Sequence, residues 1–206
     1  MENFDIVVVG AGSAGCIITN QIINSTNFKV LLIEAGPSDN TPVIQVPLGY
    51  GMTFYHKKMN WNFYSEVQTN LYNREIYYPR GKVLGGSGSI NAMIYARGLR
   101  SDFKNWHLSK DWTWENIKTT YDQIEFAVND NTSRLPSNKI PVNDISNQHH
   151  PILKNFFNAS KDFDFTFNKQ LESTIENQVG NYNVNIFKGF RTSSSKVFLK
   201  PIKKNS

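Results

Sequence analysis

Apolar residues fall in two short unbroken runs near the start of the chain, Ile6 to Val9 and Val30 to Ile33. Runs without alternation are the pattern of parallel strands buried on both faces. Between them the period changes: Cys16, Ile17 and Ile18, then Ile22 and Ile23, recur as on one face of a helix. The stretch predicts a strand from Asp5 to Val9, a helix, and a second strand from Lys29 to Ile33. The first strand enters Gly10-Ala11-Gly12-Ser13-Ala14-Gly15, a G-x-G-x-x-G turn. Gly10 permits a tight turn, Gly12 lets the backbone approach a pyrophosphate, and Gly15 lets helix and strand pack closely. The helix N-terminus offers N–H groups and partial positive charge to phosphates. Glu34 follows the second strand, about 20 residues past the turn, where a carboxylate accepts from ribose hydroxyls. The order of parts predicts a dinucleotide-binding βαβ unit. The unit alone does not separate FAD from NAD, and Glu34 disfavours NADP, whose extra phosphate it would repel.

Beyond Gly36 the pattern is less regular. Pro37 to Gly51 reads as loop, punctuated by Pro37, Pro42 and Pro47. Trp61 to Val67 alternates as a strand, Asn70 to Asn73 supplies a turn, and Glu75 to Tyr78 is the return strand. A second glycine-rich turn follows, with Gly81, Gly85, Gly86 and Gly88, and a short helix is expected over Asn91 to Ile94. From the residues alone this is either an anion- or ring-cradling turn or a glycine-rich surface loop. Ser101 is placed to cap a short helix through Trp106, and Thr113 a longer one with Ile117, Tyr121 and Ile124 on one face. Asp130 to Asn147 is polar and reads as an exposed connection. Pro151 to Phe163 reads as a helix, and Ser193 to Leu199 as a final short one ended by Pro201.

The 206 residues suffice for one large domain or a small pair, and 39% hydrophobic residues can build a core. The formal charge of +5 is spread along the chain. The basic cluster Lys196, Lys200, Lys203 and Lys204 comes without a nucleic-acid motif and reads as a solvated end, so no nucleic-acid partner is expected. Cys16 is the single cysteine and reads as a small packed residue. No signal peptide precedes the first strand and no run is long enough to span a membrane, so a soluble intracellular protein is expected. No metal-ligand spacing and no Ser-His-Asp order stands out.

The runs VVVGAGSAG, LLIEAG and PRGKVLGGSGSINAMIYARG together resemble the glucose-methanol-choline (GMC) oxidoreductase family of FAD-dependent alcohol oxidases and dehydrogenases. The similarity continues through Asp102-Phe103-Lys104-Asn105-Trp106, Trp112 to Glu125, His150-Pro151, Val179 to Tyr182, and Arg191-Thr192-Ser193 to Pro201. The resemblance implies an α/β fold: a Rossmann-like FAD-binding βαβ domain, incomplete, with the start of an α+β substrate-domain region. It places the FAD-binding part over residues 1–135, and a connection with the beginning of the substrate-domain segment over 136–206. It implies that Gly10, Gly12, Ser13, Ala14, Gly15 and Glu34, with the adjoining Ala35, bind the ADP half of FAD. On the pyrophosphate and isoalloxazine side it implies Arg80, Val83, Gly85, Gly86, Ser87, Asn91, Ala92, Met93 and Ile94. Some members attach FAD covalently through a histidine just before this asparagine. That position is Ile90, so attachment is expected to be noncovalent. Gly88 replaces a more usual hydroxyl residue, at a cost of one cofactor hydrogen bond, roughly 0.5–1.5 kcal/mol.

The reaction this implies is removal of an alcohol proton and hydride transfer to flavin N5, with a histidine base near the C-terminus of a longer chain. His56, His107, His149 and His150 lie in no matching context, and no catalytic residue is assigned. The expectation is a truncated member, inactive alone, with FAD as its partner. One alternative is half of a split alcohol oxidase or dehydrogenase completed by a second polypeptide. Another is a non-catalytic nucleotide-binding or interaction module. An NAD-dependent dehydrogenase is disfavoured by the second glycine loop. With only Val30 to Ile33 as a parallel partner, the first strand is expected to leave apolar surface open.

Overall fold

Strand β1 (Ile6–Val9) and strand β2 (Val30–Ile33) pair in parallel, Ile6 opposite Val30 and Val9 opposite Ile33. Helix α1 (Ser13–Ser25) makes the crossover. This is the βαβ unit that the change of hydrophobic period predicts. The computed structural model describes residues 2–104, 106 and 111–202. These divide into two units: the chain up to Met93 together with the segment from Ile186, and Ile94–Asn185. His107, Asn105, Lys203 and Lys204, all considered above, lie outside the described residues.

In the first unit α1 turns Cys16, Thr19 and Asn20 inward. Among the described residues the sheet of β1 has two strands. Val9 is 81% exposed, and Val7 and Ile33 are also open, so apolar strand residues do face outward. After β2, the stretch read as loop folds into α2 (Pro42–Gln45), a 3₁₀ turn (Pro47–Gly49) and α3 (Tyr50–Thr53). The prolines start these turns rather than break them. A residue in the first helical turn has no intrahelical use for its N–H, and proline already has the required φ. The turns bury Ile44 in a core with Met59, Val83 and Ile90. Each such aliphatic side chain contributes about 1.5–3 kcal/mol. β3 (Phe63–Tyr64) and β4 (Tyr77–Tyr78) form the expected antiparallel hairpin, with isolated bridges at Gln68–Arg74 and Asn60–Gly81.

The second unit contains β5 (Ile94–Tyr95), α4 (Arg100–Lys104), α5 (Trp114–Ile124), β6 (Glu125–Val128), β7 (Ile140–Asp144), α6 (Leu153–Ser160), β8 (Thr166–Gln170), β9 (Gln178–Asn181) and β10 (Asn183–Val184). Thr113 caps α5 as predicted, its side chain accepting from the Asn116 N–H. A four-stranded sheet runs β5-β10-β7-β6. The segment expected to be an exposed connection thus holds a central strand, β7, parallel to β6 with Glu125 opposite Ile140. That pairing also bears on the division of the chain. The expected boundary at 135/136 falls between β6 and β7, two neighbours in one sheet, whereas the units part after Met93 and after Asn185.

The chain re-enters the first unit as a hairpin of β11 (Ile186–Phe187) and β12 (Phe190–Arg191). Its two turn residues, Lys188 and Gly189, both have positive φ, the requirement of the turn that matches strand twist. Ser195–Leu199 then winds as a π-helical turn and continues into α7 (Lys200–Ile202), so Pro201 lies within the last turn instead of ending it. Val197, Phe198 and Leu199 are all buried, and Asn20 of α1 donates from Nδ2 to the Phe198 carbonyl at 2.8 Å. No helix among the described residues is long and apolar enough to cross a membrane.

Candidate functional site

The two glycine turns of the first unit meet. The Gly85 N–H donates to the Ala11 carbonyl at 2.7 Å. Gly86 lies over Gly12, so that a Cβ on Gly86 would come 2.7 Å from Gly12 Cα. In the first turn Gly10 has φ +92°, and a Cβ on Gly15 would lie 1.9 Å from the Gly10 carbonyl oxygen. Those two glycines are explained by the chain itself. Gly12 is not. Its φ of −72° and ψ of −169° suit any residue. A Cβ there would meet only Gly86 Cα, at 4.0 Å. Protein packing therefore leaves room for a side chain in front of Gly12, at the start of a helix that no side chain caps. Ser13 and Ala14 are exposed beside it. A phosphate fits such a place, since the first helical N–H groups have no intrahelical acceptor.

Glu34 is tied into the same turn. Oε2 accepts from the Ala11 N–H at 2.8 Å and Oε1 from the Gly36 N–H at 2.9 Å. Each carboxylate oxygen has a second lone pair, so the side chain can hold the turn and accept from a hydroxyl too. Ala35 between them is exposed. Cys16 is fully buried, its Sγ donating to the Ala11 carbonyl at 3.2 Å. Burial pushes the thiol up to about 11, against the lowering effect of the Gly85 backbone N–H.

The second loop is a 3₁₀ turn over Gly86–Ser89, where Ser89 Oγ donates to the Leu84 carbonyl at 2.7 Å and Ser87 Oγ accepts from the Gly81 N–H at 3.1 Å. The Val83 side chain belongs to the core, so only its backbone is free to contribute to a site. Arg80 is exposed, with its guanidinium carbon 5.6 Å from the Tyr78 ring centre. Its backbone N–H donates to the buried Asn60 at 2.9 Å. The short helix expected over Asn91 to Ile94 does not form. Asn91 Oδ1 accepts the Met93 N–H at 2.9 Å, and Met93 takes φ +62° while 4% exposed. A side-chain turn of this kind competes with the helical backbone bond. Ala92 lies between them, half-buried. Ile94 begins β5 of the second unit, so the structure does not join it to the other candidates.

Arg191, noted in the sequence only as part of the family resemblance, received no site role there. Its side chain is buried at the end of β12, and Nε donates to the Ile44 carbonyl at 2.9 Å. Nη1 donates to the Gly88 carbonyl at 3.2 Å and to Asn91 Oδ1 at 2.8 Å, and Nη2 to the Asn91 carbonyl at 2.7 Å. Burial lowers its pKa to about 10, so it remains a cation at neutral pH. A polar cavity of about 240 Å³ adjoins it, lined among others by Asp39, Ser193, Ser195 and Lys196. Asp39 Oδ2 accepts from Ser193 Oγ at 2.6 Å and from Ser195 Oγ. The available signal was an arginine followed by a run of small hydroxyl residues, Arg191-Thr192-Ser193-Ser194-Ser195.

The described histidines are engaged locally. His56 Nδ1 accepts from the Lys58 N–H at 3.2 Å, and His150 Nδ1 from the Ile152 N–H at 3.2 Å. His149 Nδ1 lies 2.7 Å from Asn181 Oδ1. No group of three His, Cys, Asp or Glu among the described residues is placed to hold a metal.

The family model described as GMC oxidoreductase matches residues 4–206. The alcohol dehydrogenase [acceptor] of Pseudomonas putida is 35% identical over 200 residues, covering 95% of this chain and 36% of that protein. The oxygen-dependent choline dehydrogenase of Vibrio vulnificus is 30% identical over 216 residues, covering the whole of this chain and 37% of that one. Among solved structures, pyridoxine 4-oxidase from Mesorbium loti superposes with a TM-score of 0.84 at 26% identity, over 96% of this chain and 39% of that one. The chain thus spans little more than a third of the length of these relatives. With paired glycine turns, a βαβ unit and a family match along nearly its whole length, the chain belongs to the GMC oxidoreductase family.

Proposed function

We propose that this chain supplies the FAD cradle of an FAD-dependent oxidoreductase acting on an alcohol CH–OH group, and holds the cofactor noncovalently. The observation that carries the reading is the open space at Gly12, beside an uncapped helix and opposite Gly86. Gly12, Ser13, Ala14 and Gly15 would receive the pyrophosphate on backbone N–H groups. Glu34, with Ala35 beside it, would take the ribose hydroxyls, held in place by Ala11 and Gly36. Arg80, Gly85, Gly86, Ser87 and the turn from Asn91 to Met93 would line the flavin side, with Val83 fixing that loop from the core. When bound, the flavin supplies a two-electron acceptor. Ile90 is 2% exposed and offers no nucleophile, which supports noncovalent attachment. The formate oxidase of Aspergillus oryzae, which superposes with a TM-score of 0.79 at 25% identity, is an FAD protein.

The 206 residues alone are proposed to bind FAD without oxidising alcohols. General-base catalysis contributes about 10²–10⁴-fold and needs a base within hydrogen-bond reach of the proton. Among the described histidines, His56 and His150 spend Nδ1 on neighbouring backbone, and His149 faces Asn181. The test is anaerobic bleaching of FAD-loaded protein with primary alcohols, polyols and choline. Bleaching at enzymatic rates would contradict the inactive reading. A second polypeptide completing the site is favoured by one observation, the exposed apolar residues Val7, Val9 and Ile33 on β1 and β2.

A further inference from the structure

We propose that Arg191 is the positioning residue of the flavin-side loop, holding the turn from Gly88 to Asn91 in the shape that FAD requires. This rests on the FAD reading above. One buried guanidinium joins three separate parts of the first unit: the end of α2 through Ile44, the glycine loop through Gly88, and the Asn91 turn through both its carbonyl and its Oδ1. The same Asn91 Oδ1 accepts the N–H of Met93, whose left-handed backbone an unbranched side chain adopts only when its surroundings enforce it. Arg191 is therefore bonded to both sides of a strained turn.

The chemistry at this position calls for a guanidinium. The acceptors lie on three segments of the chain, and a fork with donors on three nitrogens reaches them together. A lysine ammonium presents its donors from one point. Among the described residues no carboxylate forms an ion pair with Arg191. An arginine retained only for packing would ordinarily be buried against an acid, because an unpaired buried charge is costly. Here the cation is committed to carbonyl oxygens of α2, the glycine loop and the Asn91 turn. The first glycine turn is held by Glu34 and by the Gly85 N–H, and Arg191 bonds neither of these groups.

That separation gives the test. FAD uses both turns, whereas ADP uses only the first. Arg191→Lys and Arg191→Ala are titrated with FAD and with ADP beside the unaltered chain. Arg191→Lys is expected to lose at least about tenfold in FAD affinity, since charge-assisted hydrogen bonds are lost, while ADP affinity stays within about twofold. In Arg191→Ala the vacated site adjoins the polar cavity by Asp39 and Lys196. Guanidinium ion at millimolar concentration is expected to restore FAD affinity there, and methylammonium is not. Equal FAD binding by Arg191→Lys and the unaltered chain would overturn the proposal. Loss of ADP binding together with FAD binding in both variants would also overturn it, by showing a general structural role. An unaltered chain that binds neither nucleotide would sink the FAD reading itself, and this proposal with it.

Discussion

Gly86 stands over Gly12 closely enough that a Cβ on Gly86 would press on Gly12 Cα at 2.7 Å, whereas a Cβ on Gly12 would reach only ordinary contact with Gly86 Cα, at 4.0 Å. The contact is asymmetric, and the asymmetry separates folding from binding. Gly86 is required by the chain, and by its own φ of +58°. Gly12 is free of both demands. Gly12→Ala is therefore expected to fold with a stability loss below about 1 kcal/mol, the scale of an N-cap change. It should lose FAD affinity, because its methyl group fills the approach to the backbone. Urea denaturation and FAD titration on one preparation check this. Unchanged FAD affinity in the folded variant would mean that the space at Gly12 is not used.

Glu34 gives a second prediction, with the opposite emphasis. Both of its oxygens accept from backbone N–H groups, Ala11 on one side and Gly36 on the other. Glu34→Gln keeps one acceptor and turns an amide NH₂ against the other N–H. The expected loss is about 1–3 kcal/mol even without cofactor, the cost of leaving a donor unpaired. A denaturation midpoint equal to that of the unaltered chain would contradict the idea that Glu34 holds the turn.

Cys16 tests burial at the same turn. Its thiol, pushed from an ordinary 9.0 to about 11, stays protonated at pH 8. Native protein should be nearly inert to a thiol reagent at that pH, and react with one equivalent in urea. The folded pKa lies above the unfolded one. The stabilising contribution of the thiol is thus full below about pH 9 and declines as pH rises towards 11. Fast labelling of native protein at pH 8 would show that the turn opens.

Ile90 sets the state of the flavin. With no nucleophile at that position, acid or heat denaturation of the FAD complex should release all of the flavin into the supernatant. Flavin retained by the precipitated chain would contradict noncovalent binding.

The first turn was legible because each of its parts has a local signature: two apolar runs, a change of period, glycines at fixed offsets and an acid. The second loop was legible as a loop but not in its conformation. A helix was expected where Met93 turns left-handed, because the decisive partner of Asn91 is Arg191, 100 residues away. The same cause hid the central strand β7. Ile140–Asp144 is polar at its end and carries Pro141, and only its pairing with β6 and β10 makes it a strand. The return of the chain from Ile186 to α1 was equally invisible, since the Asn20–Phe198 bond spans 178 residues.

A nucleotide titration of the chain itself tests the paired glycine turns most directly. FAD is added to the apo protein and followed by flavin fluorescence, with ADP and then NAD as competitors. The prediction is one FAD per chain, displaced by ADP, with NAD failing to displace it at comparable concentration. Folded protein that leaves FAD fluorescence unchanged, or that binds NAD more tightly than FAD, would contradict the assignment of the paired glycine turns as an FAD cradle.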